Sequence, residues 1–423
     1  MRRTPRVVAL LALVSLLAAC GPAADDADGP VDEAGSDAGD EATPDEADAD
    51  DADPVRIGFL GELTGNFAIF GVPARNGMRL AVSEINAAGG VDGRPLELVE
   101  RDTQGAPEEG VTALRGMIER EGVVAVGGLI SSDVALASAR EAEASEVPML
   151  LVKAGSERVL TSESRYTFRT CLPAASMNLE PIAQFIEDEG LERVGAVVAD
   201  YEWGRSIEAA IEEHIGPLDV ELQIEVAPVP ETDFTTYLRR LEELDPDVLI
   251  ATGHPPGSGT LLLQAADLGF DGFVTGPNDA FGVTLESVGD AAFDRYVDIS
   301  CADYASESYQ ELAARYHAEF DGFMEDDAVA GYGQVTMVAE AIEATGSDDP
   351  AEVAGYLREA TFELPGYAWD LAWTEWGEFA QAQPLLNVMR ERTPPEGVNP
   401  GAEWYPETLF RSEPLEPLEP LDP

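Results

Sequence analysis

Short apolar runs alternate with segments of helical period along this chain, and the alternation starts twice. The first pass opens with an apolar run at 55–60 that stops at Gly61. A helical stretch at 73–88 follows, carrying Met78, Leu80, Ala81, Ile85 and Ala88, and Gly89-Gly90 ends it. Strand signals at 96–99, 123–126 and 148–152 are separated by helical patterns at 111–120 and 134–144. The second pass has helices at 178–189, 205–215, 234–243 and 261–268, interleaved with strands at 194–199, 221–226, 248–251 and 273–275. Helices at 308–320, 329–344 and 350–359 follow, with strands near 368–373 and 385–389. Consecutive parallel strands need a crossover, and a helix is the usual one. The order therefore predicts an α/β fold of two doubly wound parallel-sheet lobes. In such sheets ligands bind beyond the carboxyl ends of the strands. That places chemistry in the loops at 61–72, 127–133, 153–157, 200–204, 252–258 and 276–282.

At 423 residues and 45% hydrophobic, the chain has material for two packed domains. Its 25 basic residues face 82 acidic ones, for a net charge of −57. No basic face for nucleic acid can come from that balance, nor electrostatic adsorption to anionic lipid. Three Cys and three His exclude a Cys/His metal cluster or a disulfide-dense scaffold. There is no G-x-S-x-G elbow, Walker loop, G-x-G-x-x-G fingerprint or H-E-x-x-H helix, so nothing points to catalysis, a cofactor or a metal. His214 and His317 fall in polar helical segments and read as surface residues.

The two ends are different in kind. Arg2, Arg3 and Arg6 precede an apolar run at 7–19 that is too short to span a bilayer comfortably, and Leu17-Ala18-Ala19-Cys20-Gly21 resembles a bacterial lipobox. Residues 1–19 are thus expected to be a lipoprotein signal peptide, with Cys20 lipidated and the protein held on the outer face of the cytoplasmic membrane. Residues 20–53 carry 14 acids and no base, and read as a disordered acidic tether. Residues 412–423 repeat Pro-Leu-Glu and read as an extended Pro-rich tail.

The block Ile57-Gly58-Phe59-Leu60-Gly61-Glu62-Leu63-Thr64-Gly65, then Phe70-Gly71, Asn76-Gly77 and Glu84-Ile85-Asn86-Ala87-Ala88-Gly89-Gly90-Val91-Asp92-Gly93, resembles the opening of type I periplasmic binding proteins, in the leucine/isoleucine/valine-binding branch of ABC-transporter receptors. The likeness continues through Gly128 to Ser132, Val147-Pro148-Met149, Phe168-Arg169-Thr170, Trp203-Gly204, Asp233-Phe234 and Asp349-Pro350-Ala351-Glu352. It implies a clamp whose lobes, 54–171 plus 302–379 and 172–301 plus 380–411, are joined by three crossover hinge strands near 168–172, 299–303 and 374–380. It also implies closure around a small solute and delivery to ABC permease subunits, without enzymatic activity.

Carried over position by position, the resemblance implies a ligand set of Phe70, Ser131, Ser132, Lys153, Ala154, Gly155, Ser156, Trp203, His254, Asn278 and Tyr332. Ser131 and Ser132 start a helix and would hold a ligand carboxylate there, or cap the helix, or both. Phe70 and Trp203 would be apolar walls, with core packing as the other reading. In the run from Lys153 to Ser156, Gly155 stands where relatives carry a hydroxyl, and Ser156 comes one step later. Lys153, the only lysine, is either a charge partner for an anionic ligand or there by chance. His254 could meet the ligand or cap its turn. Asn278, beside Asp279, and Ala174 stand where amino-acid binders carry acids, which argues against a plain branched-chain amino acid and leaves an amino acid relative, carboxylate or amide open. Tyr332 is a wall candidate that its own helix could equally bury. With Cys20 lipidated, Cys171 and Cys301 remain at implied crossovers as a possible disulfide or as two small buried hydrophobes.

The function expected is an extracytoplasmic solute-binding lipoprotein of an ABC importer, the alternative being a ligand-sensing lipoprotein that meets no permease. The near-absence of lysine beside so many acids suggests adaptation to salt. Self-repulsion of the excess acid should weaken the fold in dilute buffer. The melting temperature should accordingly rise between dilute buffer and molar KCl, and a salt-independent value would remove this reading.

Overall fold

A computed structural model describes residues 53–422, apart from 230 and 253–256. The signal peptide, Cys20, all of the tether but Asp53, and His254 lie outside the described residues.

The first lobe begins with β1 (Val55–Gly61), α1 (Ala68–Ala87), β2 (Leu96–Asp102), α2 (Pro107–Gly116), β3 (Ala125–Leu129), α3 (Ser132–Ser145), β4 (Met149–Leu151) and β5 (Thr167–Arg169). Its sheet is parallel, in the order β2-β1-β3-β4-β5. Strand β1 is buried at every position except Arg56, as a central strand covered on both faces must be. The chain then enters α4 (Ala175–Asp188), β6 (Arg193–Ala199), α5 (Glu202–His214), β7 (Glu221–Ala227), α6 (Thr235–Leu241), β8 (Val248–Ala251), α7 (Gly257–Asp267), β9 (Phe273–Thr275) and α8 (Phe281–Val288). These strands form a second parallel sheet, β7-β6-β8-β9. Next come β10 (Val297–Ser300), α9 (Glu307–Phe320), α10 (Asp326–Thr345), α11 (Pro350–Glu359), β11 (Leu385–Glu391) and β12 (Trp404–Arg411). An antiparallel sheet, β10-β11-β12, adjoins the second one through a bridge between Val274 and Tyr296.

Helices α9 to α11 return to the first lobe, where α10 lies along α1. The close approach needs glycine on both sides. A Cβ at Gly77 would sit 2.0 Å from the Ala328 carbonyl oxygen, and one at Gly331 would sit 2.0 Å from that of Ala74. From α10, buried Gln334 accepts from the Gly128 N–H (3.0 Å) and donates to the Leu150 carbonyl (3.1 Å) and Thr170 hydroxyl (2.8 Å), tying the helix to β3, β4 and the exit from β5.

Several boundaries differ from the sequence reading. Helix α1 begins at Ala68 rather than at Pro73, which lies inside it. The expected strand near 368–373 is not one; isolated bridges pair Phe362 with Leu371 and Trp373 with Phe379, and the tryptophans there bury against rings instead of extending a ladder. The tail after β12 is extended but docked. Ser412 donates its N–H to the Pro384 carbonyl (3.1 Å), Leu415 bridges Ala382, and Leu421 pairs with Thr161, its carbonyl accepting from Ser162 (3.1 Å). No helix among the described residues is long and apolar enough to cross a membrane.

Cys171, just past β5, is disulfide-bonded to Cys301, just past β10. The bond joins two of the passages between the sheets and closes a sequence separation of 130 residues. Because a crosslink over a long loop removes unfolded-chain freedom, reducing it should lower stability by roughly 2–5 kcal/mol. Melting with and without reductant, alongside Cys171→Ser/Cys301→Ser, should show equal losses; two free thiols in the unreduced, denatured protein would overturn the pairing.

Candidate functional site

The carboxyl ends of both parallel sheets meet at a small cavity. Its lining is Phe67, Phe70, Ile130, Ser132 and Lys153 from the first lobe, with Leu172, Tyr201, Trp203 and Asn278 from the second. About 20 Å³ remains inside, room for about one water, so the two halves are closed on each other. A larger hollow of about 560 Å³ lies elsewhere, between α3, residues 158–164 and the tail. Only the small cavity lies where strand ends and helix starts converge.

Of the expected ligand residues, Phe70, Ser132, Lys153, Trp203 and Asn278 reach this cavity. Ser131 caps α3 instead, its hydroxyl accepting from the Val134 N–H at 3.5 Å. Ala154 is buried in the core beside β3 and β4. Gly155 leaves room for the indole opposite, since a Cβ there would stand 2.4 Å from the Trp203 ring. Ser156 belongs to the seam rather than the cavity lining: its hydroxyl donates to Glu202 (3.0 Å) and accepts from Ser206 (3.0 Å), across the lobes. Tyr332, expected as a wall, faces α1, where its hydroxyl donates to Glu84 (2.8 Å). The small residues that bring α10 against α1 turn that side of the helix away from the cleft.

The loop at 153–156 is pinned by Arg169 at the end of β5. Its fully buried guanidinium donates to the carbonyls of Ala154 (2.6 Å) and Ser156 (2.9 Å) and to Glu378 (2.7 Å). Lys153 projects from this loop. Its ammonium donates to the main-chain and side-chain oxygens of Asn278, the former at 2.9 Å. Asp326 lies 3.3 Å away, Asp327 3.7 Å, and the Phe70 ring centroid 4.9 Å. Burial opposes its charge, yet Asp326, Asp327, Asp279 and Asp298 together hold it above the usual lysine range.

Buried acids surround that ammonium. Asp298, on β10, accepts from the main-chain N–H groups of Asn278 (2.7 Å), Asp279 (2.6 Å) and Ile299 (2.8 Å) and so fixes the loop that presents Asn278. Glu325 accepts from Gly282 (2.6 Å), at the start of α8 in the other lobe. Burial lifts Asp298 to about 7 against these N–H donors. Burial and then Asp326 lift Glu325 to about 8. Burial drives Asp327 well above the carboxylate range despite Lys153. In the first lobe, burial also raises Glu62 to about 7, opposed first by the Thr103 hydroxyl, which donates at 2.9 Å.

Phe67, Tyr201 and the acids at 298 and 325–327 were not singled out from sequence. Tyr201 was within reach, two residues from Trp203 in an expected cleft loop. The acids 325–327 lie just ahead of the helix expected at 329–344, and only tertiary contact joins Asp326 and Asp327 to Lys153.

Comparison with known proteins follows the geometry. Residues 54–389 match the family model described as periplasmic binding protein. The chain is 26% identical over 317 residues to the leucine-, isoleucine-, valine-, threonine- and alanine-binding protein of Pseudomonas aeruginosa, covering 74% of this chain and 84% of that one. Among solved structures, the leucine-binding protein LivK of Thermotoga maritima has a TM-score of 0.71 at 21% identity, covering 85% of this chain and 99% of that one. A solute-binding protein of an R. palustris ABC transporter, in complex with benzoate, has a TM-score of 0.75 at 18% identity, with coverage of 87% and 99%.

The raised carboxyls set a pH dependence. Each is protonated in the folded state at a pH where the unfolded chain, with an ordinary carboxyl near 4, has ionised. Between about pH 4 and pH 8 the fold therefore binds more protons, and stability falls as pH rises. Carboxylates held low, such as Asp102 and Asp247, act only below that window. The melting temperature in molar KCl should drop by on the order of a few degrees from pH 5 to pH 8.5. Glu325→Gln, which can still accept from Gly282, should flatten that slope; an unchanged slope would remove Glu325 as a contributor.

Proposed function

Since the chain belongs to the periplasmic binding protein family, a family of solute-binding proteins rather than enzymes, we propose that it is the extracytoplasmic receptor lipoprotein of an ABC importer. It is anchored through Cys20, carried on the acidic tether at 20–53, and captures a small carboxylate-bearing solute, an amino acid relative or an amide. Capture occurs by closure of the lobe formed by 54–171 and 302–379 against that formed by 172–301 and 380–411. A rotation that parts the lobes lifts Trp203 off Gly155 and Asn278 off Lys153, admits solute, and reverses to exclude water.

The observation that carries this reading is the cavity at the meeting of the two sheets, walled by rings from both lobes. Phe67 and Phe70 come from one side and Tyr201 and Trp203 from the other, with the start of α3 presenting Ser132 between them. Rings supply apolar contact for a flat or branched body, and a helix start favours negative charge. The benzoate held by one structural neighbour and the amino acids named for the curated relative both contain a carboxylate on an apolar body.

A thermal-shift screen of carboxylates, amino acids and amides in molar KCl tests binding, because a ligand at 100 times its Kd adds about 2.7 kcal/mol of stability. Trp203→Ala should weaken the best ligand at least tenfold; unchanged affinity would put the site elsewhere. Deleting the gene should abolish uptake of that solute. Binding with undiminished uptake would make the protein a sensor instead.

A further inference from the structure

We propose that Lys153 is a built-in ammonium that sets the solute class, so that the cleft takes carboxylates lacking an amino group and rejects their α-amino counterparts. This rests on the reading of the cleft as a solute site and names its specificity determinant.

The seat of Lys153 has the chemistry of a cation-recognition pocket. The ammonium donates to the main-chain oxygen (2.9 Å) and the side-chain oxygen of Asn278, with Asp326 at 3.3 Å, Asp327 at 3.7 Å and the face of Phe70 at 4.9 Å around it. Carbonyls, carboxylates and a ring face are what proteins use to hold a small cation. Here the cation is tethered to the chain and always present. Two of its donors are spent on Asn278 and its charge faces Asp326, while the side chain still lines the cavity.

Composition gives independent support. Of 25 basic residues only this one is lysine. A planar guanidinium presents its donors as a rigid fork and does not reproduce a compact ammonium that donates to both oxygens of Asn278 beside Asp326. The position keeps the one cation whose shape fits the seat.

The consequence for ligands is electrostatic. A second ammonium entering the cavity would lie in a low-dielectric space next to a like charge. A des-amino acid brings no such conflict. Its carboxylate can take Ser132 and the start of α3, and its body the rings of Phe67, Tyr201 and Trp203.

Calorimetry in molar KCl would compare 3-phenylpropanoate with phenylalanine, and 4-methylpentanoate with leucine. On the unaltered protein the des-amino member of a pair should bind at least tenfold more tightly; equal or tighter binding of the amino acid overturns the inference. A second arm needs no ligand. Lys153→Ala should be stabilised by n-propylammonium chloride and not by tetramethylammonium chloride, while the unaltered protein responds to neither. Failure of that rescue also overturns it. If Lys153→Ala does not fold, Lys153→Met/Asp327→Asn removes one acid with the cation and should bring the two members of a pair within threefold of each other; a retained tenfold preference assigns the discrimination elsewhere and overturns the inference. If no member of either pair binds the unaltered protein, the carboxylate reading of the cleft falls, and the rescue by n-propylammonium still decides the seat of Lys153.

Discussion

A guanidinium with almost no contact with water holds the hinge and the cleft together. Arg169 stands where the chain leaves the first sheet, and it reaches both the loop that carries Lys153 and Glu378 near the third passage between the lobes. Burying such a charge is unfavourable unless every donor finds an acceptor, and the price of removing one partner is an uncompensated ion. The loop at 153–156 therefore cannot shift without disturbing two of the passages. Geometry at the solute cavity and geometry at the hinge are set by one side chain, next to a disulfide that joins the first two passages.

The large excess of acid is used inside the molecule as well as on its surface. Acid side chains meet helix starts across the lobe boundary: Glu325 takes the Gly282 N–H at the start of α8, and Glu157 takes that of Ser176 at the start of α4. Helix starts carry partial positive charge, so each such contact favours the closed arrangement. Opening exposes them to water, which can replace a carboxylate oxygen as acceptor.

Strands β8 and β9 and helix α11 are legible to the residue because a short apolar run, or a helix opened by Asp349-Pro350, says all that is needed locally. Strands β5 and β10 are not, since each is short and hides an ion in a buried position, Arg169 in one and Asp298 in the other. The strand expected at 368–373 illustrates the opposite failure: alternation was present, but Trp369 and Trp373 bury against Phe379 and Phe168. At the cleft, Phe70, Ser132, Lys153, Trp203 and Asn278 were named through the family resemblance, and the structure brings these five to one cavity. The direction of the Lys153 ammonium was not legible, because Asp298 and Asp326 are far away in sequence and come together only through the crossovers. Of the two readings open for Tyr332, cleft wall or burial by its own helix, the structure places it against α1, on Glu84.

The docked tail gives the clamp a leash. It leaves β12 in the sheet next to the second lobe, runs past Ala382, and ends with Leu421 paired to Thr161 in the first lobe. Any swing that separates the sheets must carry this segment along or peel its last contacts away. The same repeat of proline, leucine and glutamate thus fastens one sheet to the other at the chain's far end.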